Sequence, residues 1–178
     1  MVNLGNINNV YDEVSSVCPH LIYSYREPMF RVTVSVAVFI ENRVAMFHKD
    51  IDGNSMYGFP TSIVKAGGES IQFAALKRVR EDTGIILNKE SLIPVDFRNV
   101  PVESMNVIDI GMTCMVDKIS LDSAMQMVPK SSHVNWYDVD FENKLVKRGN
   151  EEYISSDEYY YDHNIFISRA IDVVLMVK

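Results

Sequence analysis

Cysteines and long apolar runs are scarce in this sequence, and each scarcity excludes a class of protein. The two cysteines, Cys18 and Cys114, lie far apart, with neither a further thiol nor a paired histidine at metal spacing. This spacing indicates neither a zinc site nor a disulfide framework, so we expect a reducing, cytoplasmic environment. No apolar window reaches the roughly 18 residues that cross a bilayer, and the first residues lack a signal-peptide pattern. We therefore expect a soluble, unprocessed protein that binds no membrane.

Clustered positive charge is also scarce. Acidic residues outnumber basic ones by 24 to 17, which gives a net charge of −7. No basic run exceeds two residues, and one of these runs, Lys77-Arg78, has Arg80 nearby. Because contacts to duplex phosphates need clustered positive charge, we expect no nucleic-acid duplex as a partner.

The remaining composition is that of an ordinary globular domain. The 178 residues are 47% hydrophobic and 23% charged, and a chain of this size buries about 70% of the surface that it exposes when unfolded. Residues 1–30 are mixed and rich in asparagine, so we interpret them as an N-terminal extension of a single domain, residues 31–178. The extension could exchange with a second subunit, which leaves a homodimer open.

Hydrophobic periodicity predicts strands, a central helix, more strands and a closing helix. The predicted segments are strands over residues 31–40, 43–48, 92–100, 107–116 and 134–139, helices over 70–82 and 162–178, and a loop over 143–158. Gly84 is placed to end the central helix and Asp162 to cap the last one. This order is typical of an α+β or α/β sandwich with a mixed sheet.

Acidic side chains in the central helix indicate phosphate chemistry. Positions 78, 81 and 82 have the spacing i, i+3 and i+4, which places their side chains next to one another. Three carboxylates there could hold a divalent ion that neutralises phosphate charge and activates water. Position 78 is an arginine, however, which cannot ligate a cation. Glu81 and Asp82 remain as metal ligands, with Glu69 one loop earlier.

Arg78 also offers a different chemistry. It is four residues from Asp82, so the two can form an ion pair that fills the place of a metal. Lys77, Arg78 and Arg80 could then hold the phosphates of a ligand directly, without a metal.

The stretch 57–87, YGFPTSIVKAGGESIQFAALKRVREDTGIIL, resembles the signature box of the Nudix hydrolase superfamily. That box has a first glutamate, an Arg-Glu pair, an aliphatic residue, two acids, a glycine and a final aliphatic residue. The matching positions are Glu69, Lys77 for the arginine, Arg78 for the second glutamate, Val79, Glu81, Asp82, Gly84 and Ile85. The opening glycine of the box is missing.

The resemblance implies a Nudix-type α/β/α sandwich with a mixed sheet. It implies Mg²⁺ or Mn²⁺ held by Glu69, Glu81 and Asp82, with Glu69 and Glu81 as catalytic residues. The sequence Tyr161-Asp162-His163 before an aliphatic helix is similar to a C-terminal motif of the bacterial ADP-ribose pyrophosphatase-like branch.

Two hypotheses from different classes follow. The leading one is a Nudix pyrophosphohydrolase that cleaves a nucleoside diphosphate linked to another moiety, such as ADP-ribose or a sugar nucleotide, with a divalent metal. The alternative is a catalytically degraded Nudix domain that binds such a ligand as a nucleotide-binding or regulatory module. Lys77, Arg78 and Arg80 favour the alternative, because cations can hold phosphates without a metal.

Aromatic residues and a histidine surround the start of the last helix. Tyr159, Tyr160 and Tyr161 at such a position pack against a sheet more often than they stack on a base. His163 is likewise more often a packing or capping residue than an acid–base group. We therefore expect packing roles for these side chains.

Overall fold

The computed structural model describes residues 30–178, apart from residues 52, 66, 103–104, 150–151 and 178. The predicted extension over residues 1–30 lies outside the described residues but for its last position. Arg31–Lys178 form one unit, which contains strands and two long helices, as predicted.

Strands of alternating and β-branched residues build one sheet. Their bounds are β1 Phe30–Ile40, β2 Arg43–Ile51, β3 Asn54–Gly58, β4 Thr61–Ile63, β5 Ile93–Val102, β6 Met105–Met115, β7 Val134–Asp140, β8 Leu145–Gly149 and β9 Glu152–Tyr153. Within the described residues the order is β5-β6-β1-β2-β7-β8-β9, with β3 paired to β2 and β4 paired to β1.

The sheet is mixed, as predicted. The hairpin of β1 and β2 is antiparallel and pairs Phe39 with Val44. Contacts between β1 and β6 instead advance in the same direction along both strands. Thr33 meets Asp109, the Ala37 carbonyl accepts from Thr113, and the Phe39 carbonyl accepts from Val116. These two central strands therefore run parallel.

Helices cover both faces of the sheet. Their bounds are α1 Ile71–Thr83, α2 Leu121–Met127 and α3 His163–Val177. The even-numbered residues of β1 from Val34 to Ile40 pack with α1 and α2, whereas Ala37 and Phe39 pack with α3. β1 is therefore buried on both sides, which gives the α/β/α layers. No helix in the described ranges is long and apolar enough to cross a membrane.

Local signals set the ends of the central helix. Ser70 precedes α1, and its hydroxyl accepts a hydrogen bond from the Phe73 amide at 3.1 Å. Gly84 follows with φ of 75° and donates its N–H to the Arg80 carbonyl. The predicted bounds of this helix thus differ from the observed ones by a single residue.

Several short elements are not in the sequence prediction, among them β3 and β4. The predicted loop over 143–158 contains β8, β9 and a short 3₁₀ helix, Ser156–Glu158. These strands are too short to show an alternating pattern. The helix α2 was not predicted, because it has seven residues and Ala124 is its one buried residue.

The glycine that ends α1 is also a close contact between helices. A Cβ atom at Gly84 would lie 2.1 Å from the Met127 carbonyl oxygen, in a conformation that side chains rarely adopt. We expect Gly84→Ala to lower the free energy of unfolding by about 3 kcal/mol, from backbone strain and the clash together. Urea titration followed by circular dichroism measures this change.

Gly53 provides a matched control for this prediction. Its φ is 83°, but an added Cβ atom would meet nothing within 4 Å. Gly53→Ala should therefore show the strain alone, about 1 kcal/mol. Equal losses for the two variants would contradict the proposed contact with α2.

Candidate functional site

The central helix α1 presents side chains to a cavity of about 400 Å³, which we call the helix cavity. Arg78, Glu81 and Asp82 line it from α1. The other walls come from β2, β4, the loop before β7 and the segment before α3. They include Phe47, Lys49, Thr61, Ser131, His133 and Tyr160.

Arg78 and Asp82 form the ion pair that their spacing predicts. The Arg78 Nε atom lies 2.8 Å from the Asp82 Oδ2 atom, and the Asp82 side chain is 10% exposed. Burial raises the pKa of Asp82, and the nearby Arg78 guanidinium opposes this rise. The arginine therefore compensates the charge of a carboxylate that is otherwise poorly solvated.

Glu81, the other acid of α1 that lines the helix cavity, is more exposed than Asp82. Glu81 lies 3.9 Å from the Lys77 ammonium group, in an i, i+4 ion pair on the surface of α1. Lys77 and Arg80 are both exposed and do not line the helix cavity. Of the three predicted phosphate-binding cations, Arg78 is thus the one that the fold places in the cavity.

Glu69 lies apart from the acids of α1. Its Oε2 atom accepts a hydrogen bond from the Lys65 amide at 2.8 Å, which closes the loop before α1. It does not line the helix cavity. The fold brings together Glu81 and Asp82 of the predicted metal ligands, and Glu69 stabilises a turn.

The donor set in the helix cavity does not fit a divalent cation. Asp82 faces the Arg78 guanidinium, and Lys49 adds a second positive charge to the same cavity. Among the described residues no three His, Cys, Asp or Glu side chains are grouped closely enough to hold a metal. Glu81 and Asp82 each have a cationic partner already, which a divalent cation would have to displace.

Lys49 was not identified from the sequence. It follows Phe47 by two residues on β2, so both side chains are on the same face of the strand. Its ammonium group lies 5.6 Å from the centre of the Phe47 ring. It makes no ion pair with the described part of the chain. The alternation of β2 was the available signal, but the position of Lys49 across the cavity from α1 depends on tertiary packing.

A second cavity, of about 210 Å³, lies on the sheet beside the first, and we call it the sheet cavity. Thr61 and Tyr160 line both cavities, so the two adjoin there. The other residues that line it include Arg31, Thr33, Ser35, Val107, Asp109 and His163. Most of these positions carried no motif in the sequence, because they come from four separate segments.

A buried arginine holds the polar residues around the sheet cavity. The Arg98 guanidinium binds the Asp109 carboxylate, lies 2.9 Å from Asp162 and lies 3.3 Å from Asp96. Arg169 adds a contact to Asp96 at 3.2 Å. Arg98 thus ties β5, β6 and the residue before α3 together. The carboxylate of Asp162, the residue predicted to cap α3, makes one of these ion pairs with Arg98.

His163 is a buried structural residue in this arrangement. It is 3% exposed, its Nδ1 atom accepts from the Phe59 amide at 3.3 Å, and its Nε2 atom lies 3.3 Å from the Ser35 hydroxyl. The expected packing role matches this environment. Tyr159 is also buried, whereas Tyr160 faces both cavities.

Comparison with known proteins gives the fold but not the activity. No family model and no curated protein matches the chain. A MutT/Nudix family protein from Enterococcus faecalis is 15% identical, with a TM-score of 0.62, and the match covers 99% of this chain and 76% of that one.

Two further solved structures have different functions on a similar fold. NrtR from Shewanella oneidensis, in complex with a 27mer DNA, is 14% identical with a TM-score of 0.58, over 82% of this chain and 62% of that one. A bifunctional NMN adenylyltransferase/ADP ribose pyrophosphatase from Francisella tularensis, with AMP and a Mn ion, is 15% identical with a TM-score of 0.52, over 93% and 47%. The predicted Nudix-type fold is confirmed.

Burial of His163 makes stability depend on pH. Burial, with the Arg98 charge nearby, lowers the pKa of His163 from 6.5 to about 3. Below pH 6.5 the unfolded chain binds a proton at this residue and the folded chain does not. The free energy of unfolding should therefore fall between about pH 6.5 and 3, by up to about 1.4 kcal/mol per pH unit from this group.

Urea titrations of wild type and His163→Gln between pH 4.5 and 7 measure this contribution as the difference in slope. An equal slope in both proteins would contradict it. If the variant does not fold, ¹⁵N NMR of the wild-type imidazole still decides, because the ring should remain neutral with its proton on Nε2 down to pH 5.

Proposed function

We propose that the protein binds a nucleoside diphosphate derivative as a binding or regulatory module, with the phosphates held by Arg78 and Lys49 in the helix cavity. The observation behind this proposal is the ion pair of Arg78 with Asp82. A guanidinium at the position of a third carboxylate changes α1 from a metal-binding helix into a helix that presents a cation. The expected hydrolase ligands Glu81 and Asp82 then serve to orient cations.

The geometry of the two cations supports phosphate binding. Arg78 pairs with Asp82 through its Nε atom, and the N–H groups of its terminal nitrogens are further donors that can bind phosphate oxygens. Lys49 supplies a second charge from the sheet, and its ammonium group lies over the Phe47 ring. Ser131 and Ser132 add hydroxyl groups to the same cavity. The phosphates of the ligand would take Lys49 and the free donors of Arg78 as partners.

A metal-dependent pyrophosphohydrolase is the second candidate. This function is favoured by Glu81 and Asp82, which line one cavity. To bind Mg²⁺ or Mn²⁺, however, both carboxylates would have to exchange their cationic partners for the metal. A fold shared with both an ADP ribose pyrophosphatase and a protein solved in complex with DNA does not decide between the two. Cytoplasmic localisation, the lack of duplex binding and a homodimer stay predictions of the sequence.

Replacing Lys49 tests the phosphate site. In buffer with EDTA, we expect calorimetry to show that wild type binds ADP-ribose and ADP, and that Lys49→Ala weakens both by about tenfold through loss of a charge-assisted contact. Lys77→Ala is the matched control, because it removes an exposed lysine of α1 outside the cavity. Equal losses for the two variants would mean that general charge, not the cavity, attracts the ligand.

Reversing the charge of residue 78 tests the lost metal site. Arg78→Glu places three acids at i, i+3 and i+4, so we expect Mn²⁺ to bind the variant at least about tenfold more tightly than wild type. Arg80→Glu makes the same charge change on an exposed part of α1 and should leave Mn²⁺ binding near the wild-type level. Calorimetric titration with MnCl₂ measures both.

Hydrolysis provides the opposing outcome. If wild type cleaves ADP-ribose or a sugar nucleotide only with added Mg²⁺ or Mn²⁺, and Glu81→Gln abolishes cleavage, the binding-module proposal is wrong. Arg78 would then be a contact to the substrate phosphate, and its loss would raise KM.

A further inference from the structure

A third cavity lies at the carboxyl end of β1, and we call it the end groove. Its volume is about 1120 Å³, and it shares no lining residue with the helix cavity or the sheet cavity. Pockets for small molecules have volumes of about 300–1,000 Å³. The end groove is larger than that, so a segment of polypeptide matches its size better than a single small molecule does.

The ends of five neighbouring strands give the end groove an elongated shape. Its lining includes Ile93 at the start of β5, Met115 at the end of β6, Glu41 between β1 and β2, and Phe141 directly after β7. These strands are consecutive in the sheet order β5-β6-β1-β2-β7. Because neighbouring strands are about 4.8 Å apart, the groove extends about 19 Å. An extended peptide rises about 3.3 Å per residue, so about six residues span it.

Apolar side chains form much of the lining. Val116 is 8% exposed, Met115 and Ile119 are half-buried, and Val177 at the end of α3 is 59% exposed. Ile93 and Phe141 complete this apolar set. Burial of apolar surface is the main favourable term in most protein association. A segment that fills the end groove therefore gains affinity from apolar side chains of its own.

The charged residues of the lining are mostly acidic. Glu90 lies just before β5, Asp117 follows β6 and Glu41 follows β1, so three neighbouring strands each have an acid at this end. Lys118 is the one basic residue among the described residues of the lining. Glu90 lies 3.8 Å from the Lys89 ammonium group on the surface, and Asp117 has no ion pair within the described ranges. These carboxylates are available to a basic partner.

We propose that the end groove binds a short basic segment of a partner protein, in which lysine or arginine residues are interspersed with apolar ones. The length of the groove, its apolar lining and its excess of acids all match such a segment. An acidic peptide or a nucleic acid would instead meet like charges, which oppose binding. The inference is independent of the proposed function, because the end groove and the helix cavity have no residue in common.

A hexapeptide with both features tests this partner. In ¹⁵N NMR titrations of the full chain, we expect the blocked peptide KVKLKV to bind at least about tenfold more tightly than KSKSKS, which keeps only the charge, and than EVELEV, which keeps only the apolar residues. The amide signals of Val116, Asp117 and Ile119 should shift with KVKLKV. Equal affinities of the three peptides, or shifts confined to other parts of the chain, would overturn the proposal.

Matched variants at exposed positions locate the site. Asp117→Asn removes a carboxylate of the end groove, and we expect it to weaken KVKLKV binding about threefold. Asp50→Asn makes the same change on β2, outside the groove, and should leave the affinity near the wild-type level. Val177→Ser removes an apolar side chain of the lining and should also weaken binding about threefold, whereas its neighbour Met176, 83% exposed and outside the lining, provides the control Met176→Ser. Equal losses within either pair would contradict the proposal.

Two other occupants of the end groove can be recognised in the same experiments. Spermidine carries cations on an aliphatic chain, and the proposal is wrong if spermidine shifts the same amides and binds as tightly as KVKLKV. Sedimentation velocity examines a second copy of the chain as the occupant. A wild-type dimer that Val177→Ser, but not Met176→Ser, converts to a monomer would likewise overturn the proposal. We expect weaker binding of spermidine and the same sedimentation of wild type and both variants.

Discussion

The Arg98 guanidinium is buried between β5, β6 and the start of α3, and a charge in that position has to be matched by carboxylates. Removing an ion from water costs several kcal/mol, which only close counter-charges and hydrogen bonds offset. Asp96, Asp109 and Asp162 provide that match from three different segments. The requirement fixes the first turn of α3 against the sheet, and from there His163 reaches the hydroxyl of Ser35.

Alternate residues of β1 contact the layers on both faces of the sheet. Its even-numbered apolar residues pack under α1, so they position the helix that presents Arg78 and Asp82. Its odd-numbered residues include Thr33 and Ser35, which are tolerated at the sheet because each one is hydrogen-bonded. The two cavities are therefore positioned by opposite faces of one strand and meet at β4, which pairs with it.

The two cavities differ in their linings. The helix cavity carries the cations Arg78 and Lys49 beside the acids Glu81 and Asp82, whereas the sheet cavity combines Arg31 and Asp109 with hydroxyl groups and apolar side chains. The presence of Arg78 in place of an acid on α1 thus changes more than a metal ligand, because it removes a negative charge and adds a positive one where phosphates would bind.

Local pattern was sufficient for the long elements of the fold. The alternation in β1 and β2, the apolar stripe of α1 and its Ser70 and Gly84 ends are properties of neighbouring residues, so the sequence alone determined them and the Nudix-type layers. The pairing of Arg78 with Asp82 was likewise readable, because four residues of helix bring any two side chains together.

Only the tertiary structure decided which of these residues share a site. Glu69 binds the backbone of its own loop and Arg80 is exposed. Lys49 lines the helix cavity from a strand that contains no motif. The sheet cavity likewise combines residues of three strands, namely Thr33, Ser35, Thr61 and Asp109. Such contacts link residues up to 128 positions apart. They depend on how sheet and helices pack, which no periodicity along the chain encodes.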